Sequence, residues 1–365
     1  VPPASPAHPT ATSDLRRAVS EVLEDYLRDQ AAVLREVSDD CTPILDAISA
    51  LLSGGKRLRP AFCYWGFRGV GADLPDDGII TAAASLELFQ AAALIHDDVM
   101  DDSDTRRGQP AVHRRFHSLH TTQGWDGSSE RFGLAGAVLA GDLCLGWSDE
   151  LFSRARLAPH SLDRGRRIFN VMRTQLMGGQ YLDMLEQASS TQRGTAGAVE
   201  RARRVVTFKS AKYSIEHPLL LGGSLAGAST DLLADYSRFG LALGEAFQLR
   251  DDVLGVFGDP TETGKPAGDD LREGKRTVLV GLAVQAANPA QAAQVQRLLG
   301  SPDLDATGVE TLRQVLVDTG ALSGVEKIIS EQVDVACATL DAADVTEPAR
   351  AALHELVVAA TSRRS

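Results

Sequence analysis

Hydrophobic positions in this chain recur at three- and four-residue intervals almost from end to end. After Ser13, a residue type that favours helix N-caps, Leu15, Val19, Val22, Leu23, Tyr26 and Leu27 fall on one stripe. Longer stripes run through IITAAASLELFQAAALIHDDVM (79–100), RRIFNVMRTQLMGGQYLDML (166–185), LLADYSRFGLALGEAFQLRDDVLGVF (232–257) and ALSGVEKIISEQVDVACATL (321–340). Several are rich in Ala on more than one face, as buried and closely packed helices are. No strand alternation and no hairpin dipeptide between strands stands out. Gly- and Asp-rich breaks fall at GVGADLPDDG (69–78), TTQGWDGSSERFG (121–133) and GDPTETGKPAGDD (258–270), and residues 287–307 read as a surface connection with short helical content. No repeat of solenoid period is present. The pattern predicts an all-α protein, with one helical domain over 14–365 behind a disordered Pro-rich tail over 1–13.

Composition narrows the partners. A net charge of −12 over 365 residues argues against nucleic acid, which needs a basic footprint. Four cysteines (Cys41, Cys63, Cys144, Cys337) lie far apart without a CxxC pair, so they suit the core of a protein in a reducing compartment. The opening VPPASPAHPTATSD lacks the basic and apolar regions of a signal peptide. No apolar run approaches the ~20 residues of a membrane span. The expectation is a soluble, cytoplasmic protein.

Candidate chemistry begins at LIHDDVMDDSDTRRG (94–108), which packs five aspartates into eight residues and then reverses sign. On a helix Asp97 and Asp101 share a face one turn apart, with Asp98 turned about 100° away. These acids continue an apolar helix, so they would repel one another at the end of a buried pocket unless cations neutralise them. Mg²⁺ suits such a place, because it takes oxygen ligands and bridges carboxylates to substrate phosphates. A second pair, Asp251 and Asp252, ends another amphipathic helix about 150 residues later. One acidic motif alone is weak evidence, but two can face each other across a bundle. Cations complete the set: Lys56, Arg57 and Arg59 in GGKRLRP, Arg106 and Arg107, Lys209 in FKSAKYS, Lys265 in TGKPAG, and Lys275 and Arg276 in REGKRT. Together they suggest two anionic groups, one held through metals and one directly.

From GGKRLRP through LIHDDVMD, TRRG, GGQYLD, FKSAKYS and FQLRDDVLG to GDPTETGKPAGDDLREGKRT, the chain resembles the trans-type polyprenyl diphosphate synthases in motif order and spacing. The resemblance extends from about Ser53 to Val280. It implies an isoprenoid-synthase helical bundle around a deep cavity, a homodimer, and about three Mg²⁺ ions per site. It also implies a reaction between isopentenyl diphosphate and an allylic diphosphate, which gives a linear polyprenyl diphosphate. Asp97, Asp98, Asp101, Asp251 and Asp252 match the family's metal-binding positions. Lys56, Arg59, Gln90 and Arg107 match its isopentenyl diphosphate site. Arg106, Lys209 and Lys265 match the allylic diphosphate site, and Lys275 lies in a substrate-binding motif. Ser210 stands for a commoner threonine beside Lys209, and Gln248 matches a glutamine near the developing cation. Lys209, Ser210, Gln248 and Lys265 are therefore the candidate catalytic residues.

One departure is Gly255, which stands where the second motif usually ends in aspartate; Asp270 matches another family acid. Metal affinity is the property this departure touches. Product length in the family follows the residues one to two turns before the first motif. Here these include Ala92 and Ala93, with Phe89 about 12 Å up the helix, so a short-product floor is absent and geranylgeranyl diphosphate, with twenty carbons, is the expected product. A product of twenty-five carbons or more is the alternative. A class I terpene cyclase fits less well, because Gly255 and Asp259 replace its second metal motif and it has no use for a second diphosphate site. A non-catalytic partner subunit would tend to lose the first acidic motif, which is intact. His113, His117 and His120 lie at helical spacing without an acid or cysteine to complete a metal site, and read as a solvated or interface helix.

Overall fold

A computed structural model describes residues 12–71, 77–258 and 268–361. Helices dominate: α1 (Thr12–Val37), α2 (Thr42–Leu52), α3 (Leu58–Arg68), α4 (Asp77–Met100), α5 (Val112–Gln123), α6 (Ser129–Ser153) and α7 (Pro159–Arg193) form the first half. After α8 (Ala198–Val205) comes a wider segment, Val206–Glu216, with π-type bonding, then α9 (His217–Ala226) and the long α10 (Thr230–Phe257). The chain closes with α11 (Asp269–Arg272), α12 (Val278–Ala286), α13 (Pro289–Leu298), α14 (Ala306–Asp318), α15 (Ala321–Ala342) and α16 (Glu347–Thr361). The all-α reading holds. Helix α1 begins one residue before Ser13, so Ser13 lies inside the helix and not at its cap. Residues 1–11 of the expected tail lie outside the described residues.

Helix α4 is the centre of the molecule. Ala82, Ala83, Ala84, Leu86, Leu88, Phe89, Ala91, Ala92 and Ile95 are all buried, so apolar side chains cover nearly every face. Small residues let α3 and α6 approach it closely. Gly78–Met100 is long and apolar enough to cross a membrane, contrary to the estimate from apolar runs, but its most apolar 18-residue stretch is 72% buried inside the bundle, as a core helix is. A second apolar cluster joins the C-terminal half of α10 (Ala246, Leu249, Val253, Val256) to α12, α14 and α15. Helix α10 thus crosses from one core to the other, and its acidic pair lies among residues of the second.

Two local features escape the periodicity. Thr105–Arg106 and Gln109–Pro110 pair as a minimal antiparallel hairpin, turned by Arg107 and Gly108, both at positive φ (54° and 72°). Such a two-residue turn requires positive φ at both central positions, which arginine adopts only under constraint. The π-type segment is the other. It packs between α7 and α10 because both carry glycine at the contact: a Cβ at Gly179 would lie 2.5 Å from the Phe208 carbonyl carbon, and one at Gly244 2.5 Å from Ala211 Cα. His113 and His120 on α5 are buried against α6, with no metal-ligand set around them among the described residues.

Candidate active site

A cavity of about 880 Å³ opens between α3, α4, α7, the π-type segment, α10 and α11. From the acids, Asp97, Asp251 and Asp252 line it; from the cations, Lys56, Arg57, Arg59, Arg106, Arg107, Lys209, Lys275 and Arg276 do. Gln90, Ser210 and Gln248 lie on its wall as well. Lys265 lies outside the described residues. Motifs separated by more than 200 residues in sequence therefore share one chamber.

Asp97 is the hub of its polar end. Its Oδ1 accepts hydrogen bonds from Lys209 Nζ (3.0 Å) and Gln180 Nε2 (2.9 Å), and Arg106 Nη2 lies 3.5 Å from Oδ2. Burial alone would raise this carboxyl, but Lys209, Lys275 and Arg106 outweigh it and hold Asp97 well below the usual carboxylate range. Lys209 also donates to Asp183 Oδ2 at 2.6 Å. Burial opposes its charge, yet the Asp97 and Asp183 carboxylates keep its ammonium firmly protonated. Asp98 points off the cavity wall, as the 100° offset predicts, and receives Arg106 Nε at 2.9 Å. Asp98 therefore positions an arginine, and does not face the chamber.

Asp101 is also off the wall. Its Oδ2 is buried and accepts no hydrogen bond, with Lys275 Nζ 3.5 Å away. Burial and the neighbouring Asp97 charge push it up to about 6. Lys275 reaches Asp270 Oδ1 (3.4 Å) and Glu273 Oε2 (2.5 Å) as well, so one ammonium bridges the first acidic motif to the segment after the second. Asp252 accepts from Gln248 Nε2 at 2.7 Å; burial first, and the Asp270 charge second, raise its carboxyl to about 8. Gln248 Oε1 in turn accepts from Ser210 Oγ at 2.5 Å, which fixes the amide between two helical segments.

The opposite anion-favouring wall is built by struts. Arg57, at φ 53°, is buried and pairs with buried Glu87 at 2.5 Å, while its other nitrogen donates to Leu52 O. This arrangement locks the Gly54–Arg57 turn, so that Lys56 and Arg59 face the cavity and Arg57 does not serve as a free cation. Arg107 docks on the same turn, donating to Leu51 O (3.0 Å) and Gly54 O (3.2 Å). Arg59 donates to Ser214 Oγ at 2.7 Å and stacks over Tyr213 at 4.2 Å, but its buried Nε has no hydrogen-bond partner. Removing one member of a buried pair leaves the other charge uncompensated. Glu87→Ala is expected to cost about 3–5 kcal/mol of stability in denaturant unfolding; a change below about 1 kcal/mol would show the strut to be dispensable.

The chain-length expectation is partly corrected. Ala93 lines the cavity; Ala92 and Phe89 do not. Both are fully buried, and Phe89 packs behind the wall against Tyr213 (5.6 Å between ring centroids) and Phe169 of α7 (6.1 Å). Phe152 stacks behind Phe169 at 5.0 Å. Gln180 and Asp183, quoted in GGQYLD without a role, are the clearest residues the sequence reading missed. Their three-residue spacing on a helix, next to a glycine that admits a neighbouring backbone, was the available signal.

The model of the family described as Polyprenyl synthetase matches residues 42–316. A geranylfarnesyl diphosphate synthase of Aeropyrum pernix is 32% identical over 284 residues, which span 77% of this chain and 81% of the relative. A geranylgeranyl diphosphate synthase of Methanosarcina mazei is 34% identical over 230 residues, 62% of this chain and 63% of that one. Among solved structures, the geranylgeranyl pyrophosphate synthase of Corynebacterium glutamicum, complexed with isoprenyl diphosphate and magnesium, shares 38% identity at a TM-score of 0.92. That superposition covers 97% of this chain and 100% of the other.

Proposed function

The chain belongs to the polyprenyl synthetase family and is a trans-prenyltransferase, and we propose that it joins isopentenyl diphosphate to allylic diphosphates to give linear geranylgeranyl diphosphate. One observation carries the reading: acids from α4 and α10 and cations from four segments converge on one chamber with an apolar inner end. The fit to a metal and two diphosphates rests on unsatisfied groups. Asp101 Oδ2 is a buried acceptor without a donor, while Arg59 Nε and Arg276 Nε are buried donors without an acceptor. Among the described residues no three His, Cys, Asp or Glu side chains form a ready-made metal-ligand set. Carboxylates offered singly suit Mg²⁺, which keeps waters and takes phosphate oxygens as its remaining ligands. Asp97, Asp101 and Asp251 would hold Mg²⁺, about three ions in all by family likeness, which when bound neutralises charge on the departing diphosphate.

The remaining work falls to the chain. Lys56, Arg59, Gln90 and Arg107 hold the diphosphate of isopentenyl diphosphate. Arg106, Lys209 and Lys275, with Lys265, hold that of the allylic substrate. As its C–O bond breaks, these cations meet charge that develops in the transition state, where preorganised donors act most strongly. The double bond of isopentenyl diphosphate attacks the allylic carbon, and the released diphosphate accepts the proton lost next to the new bond. Gln248, clamped between Ser210 and Asp252, holds an amide oxygen near the developing cation. Ala93, Leu176 and Phe247 keep water from quenching it. Release of inorganic diphosphate is expected only when Mg²⁺ and both substrates are present. Release from the allylic substrate alone, with a cyclic hydrocarbon, would support a cyclase instead.

Product length follows from the inner end. Ala93 leaves the first turn below Asp97 open, and the Phe89–Phe169 pair stands behind the wall. This favours twenty carbons over the twenty-five of the Aeropyrum relative's product. A homodimer is supported by apolar stripes left exposed on two helices: Phe132, Val138 and Leu139 on α6, and Val171, Met177 and Tyr181 on α7. Exposed apolar side chains grouped on two helices suit such an interface. Sedimentation equilibrium should give twice the 38.9 kDa chain mass, and Leu139→Arg should shift the mass toward one chain. Four free cysteines suit a cytoplasmic setting.

A further inference from the structure

Arg276 differs from the other cations of the cavity wall. Arg57, Arg59, Arg106, Arg107, Lys209 and Lys275 each donate to a protein oxygen or pair with a carboxylate. Among the described residues Arg276 does neither, and its Nε is buried without an acceptor. Its backbone is held on both sides. Gly274, at φ 74°, turns the chain, Lys275 N donates to Asp270 O at 3.0 Å, and Thr277 caps α12 by accepting from Val280 N at 3.3 Å. Lys275 then reaches Asp101 and Asp270, while Arg276 meets the charge of Glu186 on α7. That carboxylate is already saturated: Arg193 donates to Oε1 at 2.5 Å and Arg201 to Oε2 at 2.9 Å. A guanidinium drawn partly out of water with no bonded counter-ion is costly, and an anionic ligand would offset that cost.

We propose that Arg276 is a further diphosphate ligand, which grips the allylic diphosphate, and the inorganic diphosphate released from it, from the α12 side of the chamber. The inference rests on the proposed prenyl-transfer site and adds a residue to its allylic part. Placement chooses between the two diphosphates. Asp183, one turn before Glu186 on α7, holds Lys209 of the allylic set at 2.6 Å, whereas Arg107 docks on the Gly54–Arg57 turn beside Lys56 and Arg59. Arginine suits the task, because its fork meets two oxygens of one phosphate where lysine acts as a point charge. Arg276 holds the same group before and after the C–O bond breaks, so its contribution is uniform binding and falls on KM, not kcat.

The test uses the full chain with Mg²⁺ and two readouts: calorimetric binding of inorganic diphosphate, and KM for the fifteen-carbon allylic diphosphate and for isopentenyl diphosphate. Arg276→Gln should weaken inorganic diphosphate and raise the allylic KM about tenfold or more, the usual cost of a hydrogen bond to a charged group. The isopentenyl diphosphate KM should stay within about twofold of the parent and kcat within about threefold. Arg276→Lys, which restores the charge without the fork, should fall between the parent and Arg276→Gln. An allylic KM and a diphosphate affinity within about twofold of the parent in Arg276→Gln would overturn the assignment. So would a rise shared equally by both substrates, which marks a structural role. A parent that binds no inorganic diphosphate with Mg²⁺ would overturn the reading of the site, and the assignment with it.

Discussion

Asp97→Asn is expected to lower kcat/KM by about 10²–10³-fold or more while leaving the helical fold and its melting temperature close to those of the parent. The substitution keeps the shape and removes one charge. That charge sits where Lys209, Gln180 and Arg106 meet, 3.0, 2.9 and 3.5 Å away. Without it, the proposed Mg²⁺ site loses one carboxylate of the first motif. Lys209 then keeps Asp183, at 2.6 Å, as its only close carboxylate, and is drawn toward α7. Steady-state kinetics should show the loss mainly in kcat, because the aspartate acts on charge that forms as the allylic bond breaks. A purely structural role would instead appear as a lower melting temperature with kcat retained, so measuring both separates the two readings.

Ala93→Phe should have the next largest effect, and on identity of product more than on rate. Ala93 lies on the cavity wall one turn below Asp97, about 6 Å along the helix. A phenyl ring there would fill open space beneath the diphosphate site, so the fold pays little for it. The dominant product should fall from twenty carbons to fifteen or ten. The converse change lies deeper: Phe169→Leu loosens the Phe89–Phe169–Phe152 stack and should let products extend past twenty carbons. Liquid chromatography with mass spectrometry of the dephosphorylated alcohols reads both. An unchanged distribution in both variants would place the chain-length floor elsewhere.

Much of this was legible in the chain because the relevant signals are local. Helical periodicity marks α4, α7, α10 and α15, and a four-residue spacing puts Asp97 and Asp101 on one face. Most acids and cations of the quoted motifs line one chamber, while Asp98 and Asp101 lie off its wall and Lys265 lies outside the described residues. What stayed hidden depends on contacts between helices, which periodicity does not encode. Phe89 was placed correctly along its helix, but its ring turns behind the wall toward Phe169, and Ala92 faces the core. Arg57 looked like one more cation until its buried pairing with Glu87, 30 residues away, made it a strut. The hairpin at Arg107 and the π-type segment that presents Lys209, Ser210, Tyr213 and Ser214 have no periodic signature.

The most direct test of the central claim is product analysis of the purified protein with Mg²⁺, isopentenyl diphosphate and, separately, the five-, ten- and fifteen-carbon allylic diphosphates. A dominant linear twenty-carbon diphosphate is the expected result, because Ala93 leaves the turn below Asp97 open to a growing chain. A cyclic hydrocarbon made without elongation, or no product from any starter, would contradict it.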